Sequence, residues 1–302
     1  IIDVHTHIGE YGKHWSPFQA QETITRHPEM LKNGQEFTPE LGKKKFSVDL
    51  DVFLKEMDEA TIEKAVVLAM DVSLVSGTRI PDEYVYDFVK KHSDRLIGFA
   101  GPLPIDAKGK FNVDSLKEFE KAITEFGFKG LKLLPPEQHY YPHDKAVYPF
   151  YEKADELGAA VMLHQGGAPH TYTFMKYAHP YLLQDIAYDF PNMNICVAHM
   201  GYPWTEELLA LMRAHTNVWA DISGMCARPI VLTWDLVMAK EYDVLNRVMW
   251  GTDYPTCRPA TKFIEWVRTG LNEQAEKSGW LTFSNNDIEG LLGNNARKFL
   301  EI

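Results

Sequence analysis

A (β/α)8 barrel is the fold this sequence predicts, and three observations predict it. Eight short apolar runs, most of them rich in β-branched residues, recur along the 302 residues. Segments with helical apolar spacing separate most of them. Polar residues gather at the C-terminal ends of the runs across the whole chain, and only a closed ring brings all those ends onto one rim. A doubly wound open sheet would share the alternation but not the single rim.

The runs, in order, are residues 1–7 (IIDVHTH), 64–70 (KAVVLAM), 96–101 (LIGFAG), 128–134 (FKGLKLL), 159–164 (AAVMLH), 194–199 (NICVAH), 217–221 (NVWAD) and 247–253 (RVMWGTD). Helices are expected over 49–62, 82–93, 113–126, 146–157, 179–190, 205–214 and 229–243. Residues 8–48 break the rhythm as a long polar insertion. It carries Tyr11, His14, Trp15, Phe18, Arg26 and the basic cluster Lys43, Lys44 and Lys45. Loops of this length are usually functional or disordered, and at the catalytic face of a barrel a lid or a dimer contact is expected. No repeat, low-complexity tract or linker divides the chain, so residues 1–302 read as one domain.

Hydrophobic residues make up 45% and charged residues 24%, the balance of a soluble globular enzyme. A net charge of −11 argues against nucleic acid and anionic membrane as partners, since both demand a basic face. No apolar run is long enough to span a membrane. The chain starts at Ile1 with no signal-peptide pattern, which leaves room for a short native leader. Cys196, Cys226 and Cys257 are too few and too irregular for a disulfide framework or a thiolate zinc cage. They read as free thiols, which makes the cytoplasm the expected location.

The first run holds the strongest chemical signal. His5 and His7 lie two apart on a strand, so both point to one face. The apolar Ile1, Ile2 and Val4 mark the strand as buried, and buried imidazoles need partners. Further along, His164, His199 and Asp253 each stand at the end of a run. Singly, each histidine could be a satisfied core residue and Asp253 a helix cap. All five at strand ends suggest a cation site at the mouth of the barrel, because neutral imidazole and carboxylate suit Zn²⁺ and related ions.

DVHTH (3–7), MLHQGG (162–167), AHMGYPW (198–204), GTDYP (251–255) and the closing GNNARKFLEI (293–302) together resemble the amidohydrolase superfamily. They are most similar to its amidohydrolase-2 branch, the aminocarboxymuconate-semialdehyde decarboxylase-like enzymes. The resemblance spans the chain. It implies a metal-dependent barrel whose single divalent ion, zinc first and manganese second, is held by His5, His7, His164 and Asp253. His199 would stay off the metal and act on substrate or bound water. The branch includes nonoxidative decarboxylases of carboxylated aromatic or unsaturated acids, and hydrolases of lactones and related bonds. It also suggests a homodimer.

Lys132 leaves an alternative open. It ends the fourth run, where two-metal members of the superfamily place a carboxylated lysine, so a two-metal hydrolase of amide, lactone or phosphoester bonds is the second reading. Leu134, where a histidine often follows such a lysine, departs from that pattern, and one metal is preferred. A third reading is a non-catalytic binding barrel. Around the mouth, an unmodified Lys132 could bind an acidic substrate through its cation, Arg228 and Arg258 could fork onto one, and Trp204 could stack on a planar one. His139, His143, His170 and His179 lie on loops that could reach the pocket. Cys257 has no base in sequence to make it a nucleophile.

Overall fold

The computed structural model describes residues 1–27, 30, 31 and 35–302. Five residues of the insertion expected over 8–48, numbers 28, 29 and 32–34, therefore lie outside the described residues. Eight parallel strands form one sheet, β1 (Ile2–His7), β2 (Lys64–Leu68), β5 (Leu96–Ala100), β6 (Gly130–Leu133), β7 (Ala160–Leu163), β8 (Ile195–Val197), β9 (Val218–Asp221) and β10 (Val248–Met249). Each pairs with the next in chain order. Val4 N–H donates to the Trp250 carbonyl at 3.3 Å and His7 N–H to the Tyr254 carbonyl at 2.9 Å, so the last strand returns to the first and a nearly closed barrel results. All eight expected strands are present.

The expected helices also form, as 50–59, 82–89, 113–124, 148–156, 184–189, 205–214 and 229–241. Their starts follow from side-chain chemistry: Asp49 and Asn112 accept the orphan backbone N–H groups of the first turn. A short hairpin, β3 (Met70–Val72) with β4 (Thr78–Ile80), follows β2 and was not expected. Among the described residues the insertion holds two α-helices, Pro17–Arg26 and Pro39–Phe46, capped by Ser16 and Thr38.

Two apolar layers hold the barrel. The outer one packs helices on strands, for instance Phe53 and Met57 near Ala65 and Val67. The inner one fills the barrel with Ile2, Val4, Val66, Leu68, Phe99, Met162, Cys196, Trp219 and Met249. Ala296, Phe299 and Leu300, from the C-terminal helix Asn295–Leu300, belong to that inner cluster.

A bulge in β1 decides where the histidines point. Asp3 pairs with Ala65 but Thr6 with Val67, so β1 has one residue more than β2 over this stretch. Strict alternation would send His5 outward, because Ile2 and Val4 face the interior. The extra residue lets Val4 and His5 both face inward, and His7 follows opposite the inward Leu68.

One expectation is corrected here. Cys226 and Cys257 form a disulfide with Cα atoms 6.0 Å apart, and only Cys196 is free and buried. Spacing alone could not pair them: they lie 31 residues apart, on loops that barrel closure makes neighbours. The bond withdraws the thiol argument for a reducing compartment. No helix among the described residues is long and apolar enough to cross a membrane.

Candidate metal centre and active site

His5 and His7 stand on the floor of a cavity of about 340 Å³ at the C-terminal mouth of the barrel. His5 Nδ1 lies 3.1 Å from Asp221 Oδ2 and 2.9 Å from Ser223 Oγ. A carboxylate only accepts, so Nδ1 carries the proton and the lone pair of Nε2 faces the cavity. That Nε2 is 3.2 Å from His7 Nε2 and 3.5 Å from Asp253 Oδ1, and His7 Nε2 is 3.6 Å from the same oxygen. The three ligating atoms all lie within 4.8 Å of one another.

Electrostatics favour the neutral rings that a metal requires. Burial pushes the pKa of His5 below its ordinary value, and the Lys132 cation adds to this. Burial pushes His7 and His164 lower still. For Asp253, burial acts upward, yet its carboxyl is held below the ordinary carboxylate range, a pull that His199, His5 and His7 exert when they carry a proton. Asp221 is likewise held well below the carboxylate range despite burial, by His5, His199 and the Ser223 hydroxyl.

His164 comes to the same cavity at the end of β7. It lies outside both groups whose atoms are within 4.8 Å of one another, His5 with His7 and Asp253, and His5 with His199 and Asp221. Its ring sits 5.0 Å from the His199 ring, and its buried Nε2 has no hydrogen-bond partner. An orphaned imidazole nitrogen beside two more imidazoles and a carboxylate is the donor set of a divalent cation, so the residues present fit a metal ion.

His199 is held by three contacts. Its backbone N–H donates to Asp221 Oδ1 at 3.1 Å, its Nδ1 donates to the Ser223 carbonyl at 2.7 Å, and Ser223 Oγ lies 3.0 Å from the same nitrogen. Nε2 is therefore left for the cavity. His199 and Asp253 both have left-handed backbones, with φ of 56° and 54°. Such a conformation costs about 1–2 kcal/mol in a non-glycine residue and tends to mark functional sites. Gly224 makes room for both side chains. A Cβ there would lie 3.2 Å from His199 Nδ1 and 3.3 Å from Asp253 Oδ2, and its own φ is +69°.

Lys132, on β6, is buried with Nζ 3.3 Å from His5 Nε2. Burial lowers its pKa against the opposing pull of Asp221 and Asp253. Arg228 lines the cavity, its guanidinium 5.6 Å from the Tyr202 ring. Arg258 does not: Glu56 captures its guanidinium, which lies over the Tyr254 ring and borders a separate cavity of about 280 Å³. Trp204 also misses the cavity wall, because it packs against His179 at 4.9 Å while Tyr202 and Pro203 reach the cavity instead. Of the loop histidines only His170 lines the cavity. His139 bonds the Tyr172 carbonyl, His143 lies against Tyr141, and His179 faces Glu207.

Several site residues escaped the sequence reading. Asp221 closes the 217–221 run just as Asp253 closes the last one, so its strand-end position was the available signal. Trp15, Gln19, Thr23, His27 and Phe46 bring the insertion into the cavity wall. Glu137 lines the cavity from the turn after β6.

A closed α/β barrel with imidazoles and a carboxylate gathered at its C-terminal mouth defines a class, the metal-dependent barrel enzymes. The chain belongs to the Amidohydrolase family, whose sequence model matches residues 2–302, and is an enzyme of the amidohydrolase superfamily. It is 22% identical over 346 residues to a 2-amino-3-carboxymuconate-6-semialdehyde decarboxylase of Dictyostelium discoideum, covering 99% of this chain and 91% of that one. A 2,6-dihydroxybenzoate decarboxylase from Rhizobium superposes with a TM-score of 0.65 at 17% identity, covering 99% of this chain and 98% of that one. A dihydroxybenzoic acid decarboxylase from Polaromonas sp. JS666, solved with bound manganese and the inhibitor 2-nitroresorcinol, gives a TM-score of 0.62 at 17% identity, over 99% of this chain and 96% of that one.

Proposed function

We propose that this enzyme is a metal-dependent carboxy-lyase that removes carbon dioxide, without oxidation, from a small carboxylated aromatic or unsaturated acid. The observation that carries this reading is the convergence of His5, His7 and Asp253 within 4.8 Å beneath a cavity that also presents Lys132 and Arg228. Three ligands and two cations suit a substrate that brings its own carboxylate. The decarboxylase likeness along nearly the whole chain points the same way.

His5, His7 and Asp253 would hold the ion, with His164 as the fourth ligand. Zinc is the first expectation from the donor set, and the manganese in a structural relative makes that ion the alternative. When bound, the ion supplies Lewis-acid polarisation of substrate oxygens. Decarboxylation breaks the carbon–carboxylate bond, releases carbon dioxide and places one proton on the carbon left behind. Asp253, ionised in the free enzyme, can take a proton from the bound acid and return it to that carbon. His199, with Nδ1 fixed on the Ser223 carbonyl, presents Nε2 as the second group able to hold or move a proton. The insertion over 8–48 would act as the lid, excluding water with Trp15 and Phe46. A homodimer is expected on the family likeness.

The test is carbon dioxide release from 2,6-dihydroxybenzoate, 5-carboxyvanillate and 2-amino-3-carboxymuconate semialdehyde by zinc- and manganese-loaded protein. At least one acid should lose carbon dioxide. His199→Asn should keep its metal and lose about 10²–10⁴-fold in kcat. Full activity in that variant removes His199 from the reaction, and hydrolysis of a lactone in place of carbon dioxide release overturns the lyase reading.

A second reading is favoured by one observation. Lys132 Nζ lies 3.3 Å from His5 Nε2, and burial favours the free amine that carboxylation needs. Two metal equivalents with the mass of a carboxylated Lys132 would establish the two-metal hydrolase instead.

A further inference from the structure

Glu137 is a buried carboxyl group that the chemistry above does not use. It is 4% exposed and lines the wall of the cavity it shares with Lys132, Arg228 and the metal centre. Among the described residues no hydrogen bond or ion pair reaches its carboxylate, and Lys132, Asp253 and the Tyr172 hydroxyl act on it only electrostatically. Leu134 and Met70 line the same cavity.

The turn that carries Glu137 is fixed from behind. Next to it, the Gln138 side chain accepts from the Leu134 N–H at 3.0 Å and donates to the carbonyls of Asp71 and Pro102 at 2.9 and 2.8 Å. Tyr140 donates its hydroxyl to the same Gln138 oxygen at 3.0 Å. Glu137 is thus held at the cavity wall by a neighbour whose own polar atoms are all committed elsewhere.

The Glu137 carboxylate makes no hydrogen bond to the protein among the described residues and fronts the cavity, so a donor can reach it from there. We propose that Glu137 is a specificity-determining residue that accepts a hydrogen bond from a hydroxyl or amino substituent of the substrate. The preferred substrate class is then an unsaturated or aromatic acid that carries such a donor besides its carboxylate. This rests on the carboxylic-acid reading of the cavity.

The test uses simple benzoates as probes. Binding of 2-, 3- and 4-hydroxybenzoate and the matching aminobenzoates is measured by calorimetry against the methylbenzoates of the same pattern. Wild type, Glu137→Leu and Glu137→Gln are each compared with and without manganese. In wild type, at least one position should favour hydroxyl or amino over methyl by about tenfold or more. Glu137→Leu should bring that ratio close to one, while Glu137→Gln, whose amide oxygen still accepts, should keep part of it. A ratio unchanged in Glu137→Leu, or tight binding of all benzoates to wild type with no donor preference, overturns the role of Glu137 alone. Failure of every benzoate to bind wild type overturns the carboxylic-acid reading and the Glu137 assignment with it.

Discussion

His5 works through both ring nitrogens, and the residue that decides which one faces the cavity lies 216 positions away. Asp221 Oδ2 accepts a hydrogen bond from Nδ1–H at 3.1 Å, which leaves the Nε2 lone pair free to ligate. Replacing Asp221 by Asn keeps the shape but turns an N–H toward Nδ1, so the imidazole must move its proton to Nε2 to accept it. Asp221→Asn should therefore weaken metal affinity about 10–100-fold, read by competition with a chelator, while the fold survives. Unchanged affinity would show that the His5 tautomer is not set by Asp221. This dependence also explains what the sequence could and could not reveal about the site. His5, His7, His199 and Asp253 were legible because imidazoles and carboxylates at strand ends already suggest chemistry by type. Asp221 and Glu137 were not, because a single carboxylate after a strand or in a Pro-rich turn is ordinary until its partner, or the lack of one, is known. Arg258 misled for the converse reason: nothing near it in sequence announces Glu56.

Among the elements, the expected helices formed almost as read, while strand ends shifted where backbone chemistry left the ladder. Residues 64–70 read as one apolar run, yet β2 stops at Leu68 and Met70 begins a hairpin whose strands are only three residues each. The last run, 247–253, keeps only Val248 and Met249 in the sheet, because Gly251 to Asp253 peel away and deliver Asp253 to the rim. Helix contacts hold their own consequence in Asp235, on the helix Pro229–Glu241. It is 5% exposed and its Oδ2 has no partner. Burial raises its pKa to about 7, opposed by a hydrogen bond with Thr205. Between about pH 4 and about pH 7 the folded state holds a proton that the unfolded chain has released. The stability this contributes is complete below about pH 4 and is lost as pH rises through 7. Asp235→Asn removes the titration, so the variant should gain on wild type at pH 8 relative to pH 5, by on the order of 2–4 kcal/mol. Denaturant melts at the two values read the difference. Parallel pH profiles for the two proteins would mean that Asp235 is ionised in the folded state.

At the scale of the whole molecule, the barrel divides its labour between two ends. The C-terminal mouth carries the convergent histidines, whereas the opposite end is sealed by the C-terminal helix Asn295–Leu300. Phe299, nearly fully buried, reaches the interior cluster and meets the Trp219 ring at 5.7 Å in an edge-on contact. Its carbonyl accepts from Asn194 Nδ2 at 3.1 Å, which ties the helix to the loop entering β8. GNNARKFLEI stood out only as a closing motif of the family it resembles, and that its helix plugs the barrel depends on the ring first being closed. Phe299→Ala should cost about 3–5 kcal/mol, since it empties a well-packed aromatic site. Because β1 carries Ile2 and Val4 at the sealed end and His5 and His7 at the other, the same variant tests whether the two ends are independent. Metal affinity of the folded variant should match wild type in a chelator titration, while its denaturation midpoint falls. A matched fall in both would show that the plug sets the position of His5 through β1, and that stability and ligation share one element rather than two.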